Sequence, residues 1–357
     1  KGEAGESFQV IGSTKIFARG TPIAPQGGMS DPAFILYQVQ NVDVSWMHLI
    51  GFPNGASFQL GVSGCRFQNM DIQGSTGPGV KFAQANGNQL DRVVLREGKT
   101  SAIDAGQSKF SMLNSVVWSN AGSALSFGPG VEAEITNSII EVSGAGRYAY
   151  FSSTTTVIRA DFNDLFLRDG GQIASINGTE YPRMPQWNRF SLQDRYSLTL
   201  DPLFANPTNG DFHLRSVAGR YQHGVGWVQD VANTNLPNFS PLIDMGSPTT
   251  WSNEPSPNGS RRNIGLYGDT WQASKSNTNR WLQAITASGG GLAYGGFPLT
   301  WGYGGNIGSN EVVRLQYSYE DGTTENWVTI IDTTVGSRQY YWQSDQLQAG
   351  LEKWPTR

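Results

Sequence analysis

One pattern constrains this chain more than any other: a polar residue set between apolar ones, returning six times between residues 39 and 167. The segments are Val39-Gln-Asn41-Val42-Asp-Val44, Phe67-Gln-Asn69-Met70-Asp-Ile72 and Leu90-Asp-Arg92-Val93-Val-Leu95. They continue with Met112-Leu-Asn114-Ser115-Val-Val117, Ile135-Thr-Asn137-Ser138-Ile-Ile140 and Phe162-Asn-Asp164-Leu165-Phe-Leu167. Their centres, Asn41, Asn69, Arg92, Asn114, Asn137 and Asp164, are spaced 28, 23, 22, 23 and 27 residues apart. A period of this size predicts one turn of a parallel β-solenoid per unit, with surplus residues absorbed in corner loops. Each unit is two short strands meeting at a corner and cannot bury its apolar face alone, so neighbouring units must stack ~4.8 Å apart. Asparagine suits the corner because it tolerates the left-handed backbone region.

Side-chain parity follows from that corner. Val39, Phe67, Leu90, Met112, Ile135 and Phe162 are expected to point inward before it. After it the inward set is Val42, Val44, Met70, Ile72, Val93, Leu95, Val117, Ile140, Leu165 and Leu167. Glycines at 74, 98, 122, 144 and 170 mark the next bend. Composition agrees: 44 of 357 residues are Gly and only 15% are charged, which suits an extended, rigid β protein.

The Asn-centred pattern resembles the right-handed parallel β-helix repeats of secreted bacterial proteins, a group that includes pectate-lyase-like enzymes. Asp201-Pro-Leu-Phe204, Gly210-Asp-Phe-His-Leu214, Ser240-Pro-Leu-Ile-Asp244-Met-Gly246 and Asn263-Ile-Gly-Leu-Tyr-Gly268 are similar to the runs that close many such helices. The resemblance spans roughly residues 30–275 and implies a fold, since β-helices host lyases, hydrolases, epimerases, adhesins and structural proteins. After the polar stretch Gln272–Asn279, the strand-like runs Pro298–Trp301, Val312–Tyr319, Trp327–Ile331 and Gln339–Trp342, with Asp321-Gly322 as a turn, are similar to immunoglobulin-like modules of the Kre9/KNH type. The expected fold is therefore all-β: a right-handed parallel β-helix with closing loops over 1–275, then a partial immunoglobulin-like β-sandwich over 280–357. About 80 residues is short for a sandwich of ~100. With no Met or signal peptide at Lys1, this points to an excised slice of a longer polypeptide.

Charge and cysteine narrow the function classes. A net charge of −4 with pI near 5.5 excludes a nucleic-acid binder that works by neutralising phosphates. No run of ~18 apolar residues is present, so no membrane span is expected. Cys65 is the sole cysteine and is expected as a small buried residue, with no intrachain disulfide. Low lysine and abundant Gly, Ser, Thr, Asn and Trp suggest a secreted or cell-surface protein. The sequons at Asn177, Asn238 and Asn258 are too short a pattern to establish glycosylation.

Candidate chemistry is sparse. Asp43 and Asp71 both lie two residues after a corner, so they are expected to stack outward as a carboxylate pair, with Arg66, Lys81, Arg92, Arg96 and Lys99 as nearby cations. Asp43, Asp71, Arg66 and Arg92 are the candidate glycan or cation contacts, and a calcium ion is the only cofactor such acids would hold; solvated charges or a ladder salt bridge account for the same pattern. Val94, Val116, Ile139 and Phe166 share that offset and would form an outward apolar stripe. Such a stripe has to be covered, either by residues 172–270 folding back or by a partner. His48 is expected as a packed or surface residue, His213 as part of a closing rung and His223 in a loop. Trp187, Tyr221, Trp227, Trp251 and Tyr267 could stack on sugar rings or pack loops against the helix. Three functions fit: an extracellular structural or adhesive segment contacting polysaccharide or neighbouring cell-surface modules, with self-association; a lyase or hydrolase acting on an acidic polysaccharide; or a glycan-binding module without turnover.

Overall fold

A computed structural model describes residues 8–9, 14–17, 23–24, 31–231, 238–248, 253–259, 261–286, 296–318 and 327–343. The turn expected at Asp321-Gly322, and Trp251, lie outside them. Residues 31–176 wind into a parallel β-solenoid of two long sheets. One sheet runs through Phe34–Tyr37, Ala56–Gln59, Val80–Ala83, Ile103–Gly106, Leu125–Phe127, Tyr148–Ser152 and Gln172–Ile176. The other is bent at the Asn-type corner, so a rung such as Arg66–Gln73 contributes a half-strand on either side of it.

The corner is real, and its register differs from expectation at both ends. Left-handed φ values fall at Trp46, Asn69, Arg92, Asn114, Asn137 and Phe162, spaced 23, 23, 22, 23 and 25 residues apart. In the first rung Trp46 takes the corner, because Val44 pairs with Phe67 and Leu49 with Ile72. Asn41, also at positive φ, stacks instead against Gly64 at a different bend. In the last rung Ile139 pairs with Asp164, so Phe162 is the corner residue and Ala160, opposite Ile135, takes the inward place expected for Phe162. The following bend is carried by Gly51, Gly74, Glu97 and Ser119 at positive φ, rather than by Gly98 and Gly122.

Corner amides that no strand can pair are satisfied by side chains of the next rung. Val93 N donates to Ser115 Oγ (3.0 Å), Ser115 N to Ser138 Oγ (3.2 Å), Ser138 N to Asn163 Oδ1 (3.0 Å) and Asn163 N to Ser197 Oγ (2.9 Å). Buried Cys65 serves the same purpose at another bend, its Sγ accepting from Val42 N at 3.4 Å. Between the sheets, Phe58, Phe82 and Phe110 stack at centroid separations of 4.7 Å, matching the rung spacing. The C-terminal end is closed by the helix Met184–Ser191, whose Trp187 packs on Tyr150 and donates from Nε1 to the buried Asp194 at 2.9 Å. Trp187 is thus a core residue, unavailable to a sugar.

The outward apolar stripe is covered from within the chain. Val94, Val116 and Ile139 are buried in a second core with Leu198, Phe204, Phe212, Leu214, Leu242, Ile243, Met245, Ile264 and Ile285. Phe166 lies one column over, opposite Glu141, and stacks on Trp118 (6.3 Å). Asp164 ends the stripe's own column instead. It is fully buried, accepts from Leu200 N at 3.0 Å, and burial holds its carboxyl well above the usual carboxylate range.

Beyond the cover lie antiparallel sheets that fit a partial sandwich. One joins Trp281–Ala284, Gly296–Gly304 and Gln339–Gln343; the other joins Val312–Ser318 and Trp327–Thr334. Trp301, Val313 and Val335 form their core. The stretch expected as a polar linker is instead packed: Ala273, Ser274 and Ser276 are buried, with Ser274 Oγ donating to Leu214 O and Ser276 Oγ to Asp244 Oδ1. No helix among the described residues is long and apolar enough to cross a membrane.

Candidate functional site

The column that carries the stripe reads His48, Asp71, Val94, Val116, Ile139 and Asp164 from the first rung to the last. Its apolar middle lies under the cover. Its polar beginning lies where the cover ends, and there a cleft of about 770 Å³ opens. Trp46, Asn69, Arg92, His48 and Asp71 line its floor, and Leu266, Tyr267, Asp269, Thr270 and Trp271 line its wall. The misplaced first corner matters here. Trp46, held at φ 62° by the corner, is left 49% exposed at the floor of a cleft whose wall carries Trp271, 59% exposed. A step of 23 residues back from Asn69 would have found it.

Of the expected contacts, Asp71 and Arg92 line this cleft; Asp43 and Arg66 are not among its lining residues. Asp43 and Asp71 do not stack as a pair, because Asp43 lies opposite Arg66 whereas Asp71 lies opposite His48 and Val94. With the first corner at Trp46 rather than Asn41, Asp43 lies before the corner, on the half-strand opposite Arg66. Arg66 and Arg92 both turn to Asp91, at 2.5 and 2.9 Å, a nearly buried carboxylate that the offset argument passed over. Gln68 Nε2 (3.2 Å) and Asn114 Nδ2 (3.3 Å) complete its shell. Asp71 is clamped by Arg96, whose Nε and Nη2 donate to its two oxygens at 2.9 and 3.0 Å, while His48 Nε2 lies 3.2 Å from Oδ2.

Behind the wall, His213 stacks flat on Tyr267, with centroids 3.6 Å apart and planes 8° apart, and its Nδ1 meets Asp211 Oδ1 at 2.6 Å. Burial, then the charges of Asp211 and Asp71, push the Tyr267 hydroxyl well up, so it stays a proton donor. The expected closing role of His213 thus includes backing the cleft wall. His223 sits exposed in a hairpin turn. Wall residues are held by Glu254, whose Oε1 accepts from Asn263 N (2.7 Å) and Asp269 N (2.9 Å).

Chemically, the cleft offers two partly exposed tryptophan side chains, hydrogen-bonding groups and carboxylates held by arginine partners. Among the described residues, no group of three or more His, Cys, Asp or Glu side chains converges as a metal site. No known protein family, no curated protein and no solved structure matches the chain.

Proposed function

We propose that this chain is a glycan-binding segment of a larger multi-module protein acting outside the cell or at its surface, holding a polysaccharide in the Trp46–Trp271 cleft without turning it over. The observation that carries this reading is that two partly exposed tryptophans, Trp46 and Trp271, line one cleft whose carboxylates are tied up. Sugar rings present apolar C–H faces that stack on indole, while their hydroxyls bind neutral and charged polar groups. Asp71 is bidentate to Arg96 and Asp269 lies 3.8 Å from Arg262, which suits orientation of a ligand better than proton transfer. The parallel solenoid, of the kind used by pectate-lyase-like proteins, and the following sandwich-like sheets would make a rigid arm in such an assembly, joined to neighbouring cell-surface modules or to further copies of itself. The alternative, a lyase or hydrolase of acidic polysaccharide, would have to draw on Asp71, His48 and the Tyr267 hydroxyl.

Affinity electrophoresis through gels containing neutral or uronate polysaccharides tests the reading. Retardation by at least one polymer, lost in Trp271→Ala and Trp46→Ala, is the expected result. Retardation by none of them refutes it. Release of unsaturated, ultraviolet-absorbing product from a uronan would replace binding with lyase action.

A further inference from the structure

The aromatic surface does not stop at the cleft. Trp271, on the wall, packs edge-on against Tyr221 with centroids 4.8 Å apart, and Tyr221 packs edge-on against Trp227 at 6.2 Å. These two belong to the hairpin formed by Arg220–Gln222 and Gly226–Val228, in which Tyr221 pairs directly with Trp227. Trp227 remains 41% exposed although Lys275 Nζ lies 4.3 Å from its ring centroid, so the indole is held in place while much of it stays open to solvent. The hairpin is itself anchored: Arg220 bonds Asp230 through Nε at 3.1 and 3.2 Å and lies 3.5 Å from Asp211, which in turn orients the His213 behind Tyr267. Cleft and hairpin are thus tied together by one set of ion pairs and rings.

The guanidinium groups along this path are held in ion pairs. Arg96 is bound to Asp71, Arg66 and Arg92 share Asp91, and Arg215 and Arg220 share Asp230, while Lys275 keeps its charge beside the neutral Trp227 ring. A polyanion would have to compete with these carboxylates for the guanidinium groups. A chain of neutral sugars would not, and it presents apolar faces at a regular repeat. We infer that the binding site runs from the cleft over Trp271 and Tyr221 to Trp227, and that it takes an extended, uncharged polysaccharide in preference to a short sugar or a polyuronate. This rests on the glycan-binding reading and adds the length and charge of the ligand to it.

Calorimetric titration with cello- and xylo-oligosaccharides of increasing length, and with oligogalacturonates as the charged comparison, tests the inference. Affinity for the preferred neutral series should climb with chain length until the hairpin is reached. Trp227→Ala should collapse the ratio of long-chain to short-chain affinity by about tenfold, and Trp227→Phe should restore most of it. Trp271→Ala, inside the cleft, should weaken long and short oligomers alike. Thermal unfolding of the Trp227 variants at the wild-type midpoint separates lost stacking from a damaged hairpin. Should Trp227→Ala leave long-chain affinity intact while Trp271→Ala abolishes binding, the extension is wrong and the cleft stands. Preference for oligogalacturonates overturns the charge argument, and failure of every oligomer to bind removes both readings.

Discussion

Truncating Ile139 asks whether the cover over the apolar stripe belongs to the fold or merely lies on it. Ile139 is fully buried and packs with Leu242, Ile243, Met245 and Ile264. Cutting a buried isoleucine to alanine costs about 2–5 kcal/mol, most where the surroundings cannot collapse into the gap. Here collapse is limited by Gly265, held at φ +101°, whose Cβ position lies 2.6 Å from Ile139 Cδ1. Ile139→Ala is therefore expected near ~4 kcal/mol. Gly265→Ala should cost on the order of 1–3 kcal/mol from that clash, with about 1–3 kcal/mol more from the positive φ. Combining the two lets the new methyl enter the space Ile139 vacated, which relieves the clash and leaves the backbone strain. The double variant should thus fall short of additivity by ~1–3 kcal/mol. Urea unfolding followed by near- and far-ultraviolet circular dichroism measures this, provided the denaturant slope is shared among the variants. Additivity to within about 0.5 kcal/mol, or a loss from Ile139→Ala below ~1 kcal/mol, would mean that Gly265 does not sit on this column and that the cover is misplaced.

Glu254 makes the cover sensitive to pH. Burial raises its carboxyl to about 7 despite two backbone N–H bonds. The unfolded chain loses this proton first, near pH ~4.3, so the folded state loses stability as pH rises from there to about 7 and levels off above. Glu254→Gln keeps the accepting Oε1 without titrating, so its stability relative to the parent should grow by ~3 kcal/mol between about pH 4 and pH 8 in paired urea titrations; a pH-independent difference refutes the assignment. Arg96→Ala strips Asp71 of its clamp and should cost about 3 kcal/mol, at the low end for a broken buried pair because Asp71 keeps contact with water. Adding Asp71→Asn to that variant should recover part of the loss, and no recovery would show that Arg96 acts through packing alone.

The solenoid was legible because one residue type does one job at one place. An L-residue at a left-handed corner is costly unless it is Asn or Gly, so Asn69, Asn114 and Asn137 stand out at the correct interval. The same logic fails where another side chain holds the corner. Trp46 and Phe162 are bulky residues at positive φ, and no propensity argument selects them; Asn41, five residues before Trp46, and Asp164, two after Phe162, fit the pattern and draw the register away. The central rungs, bracketed on both sides, were read in register, whereas the terminal ones were not. A second corner made by Gln38, Gly61, Gln84, Gln107 and Gly130 escaped notice because Gln is an unusual occupant of that region, here steadied by the Gln84-to-Gln107 amide bond at 3.0 Å.

The site was legible only in outline, and the reason lies in how a cover and a solenoid meet. Offset arithmetic along one strand identified the outward column, and the apolar run Val94, Val116, Ile139 correctly demanded a cover. What arithmetic cannot supply is where a cover of irregular loops stops. It stops where the column turns polar: Asp71 keeps two guanidinium bonds and some contact with water, so extending the cover over it would bury an ion pair at a cost that its packing could not easily offset. The end of the apolar run thus sets the edge of the cover, the edge of the cover sets the cleft wall, and the first corner places an indole at the cleft floor. A site of this kind is written in the change from Val94 to Asp71 along one column, a signal visible only after the register of the first rung has been corrected.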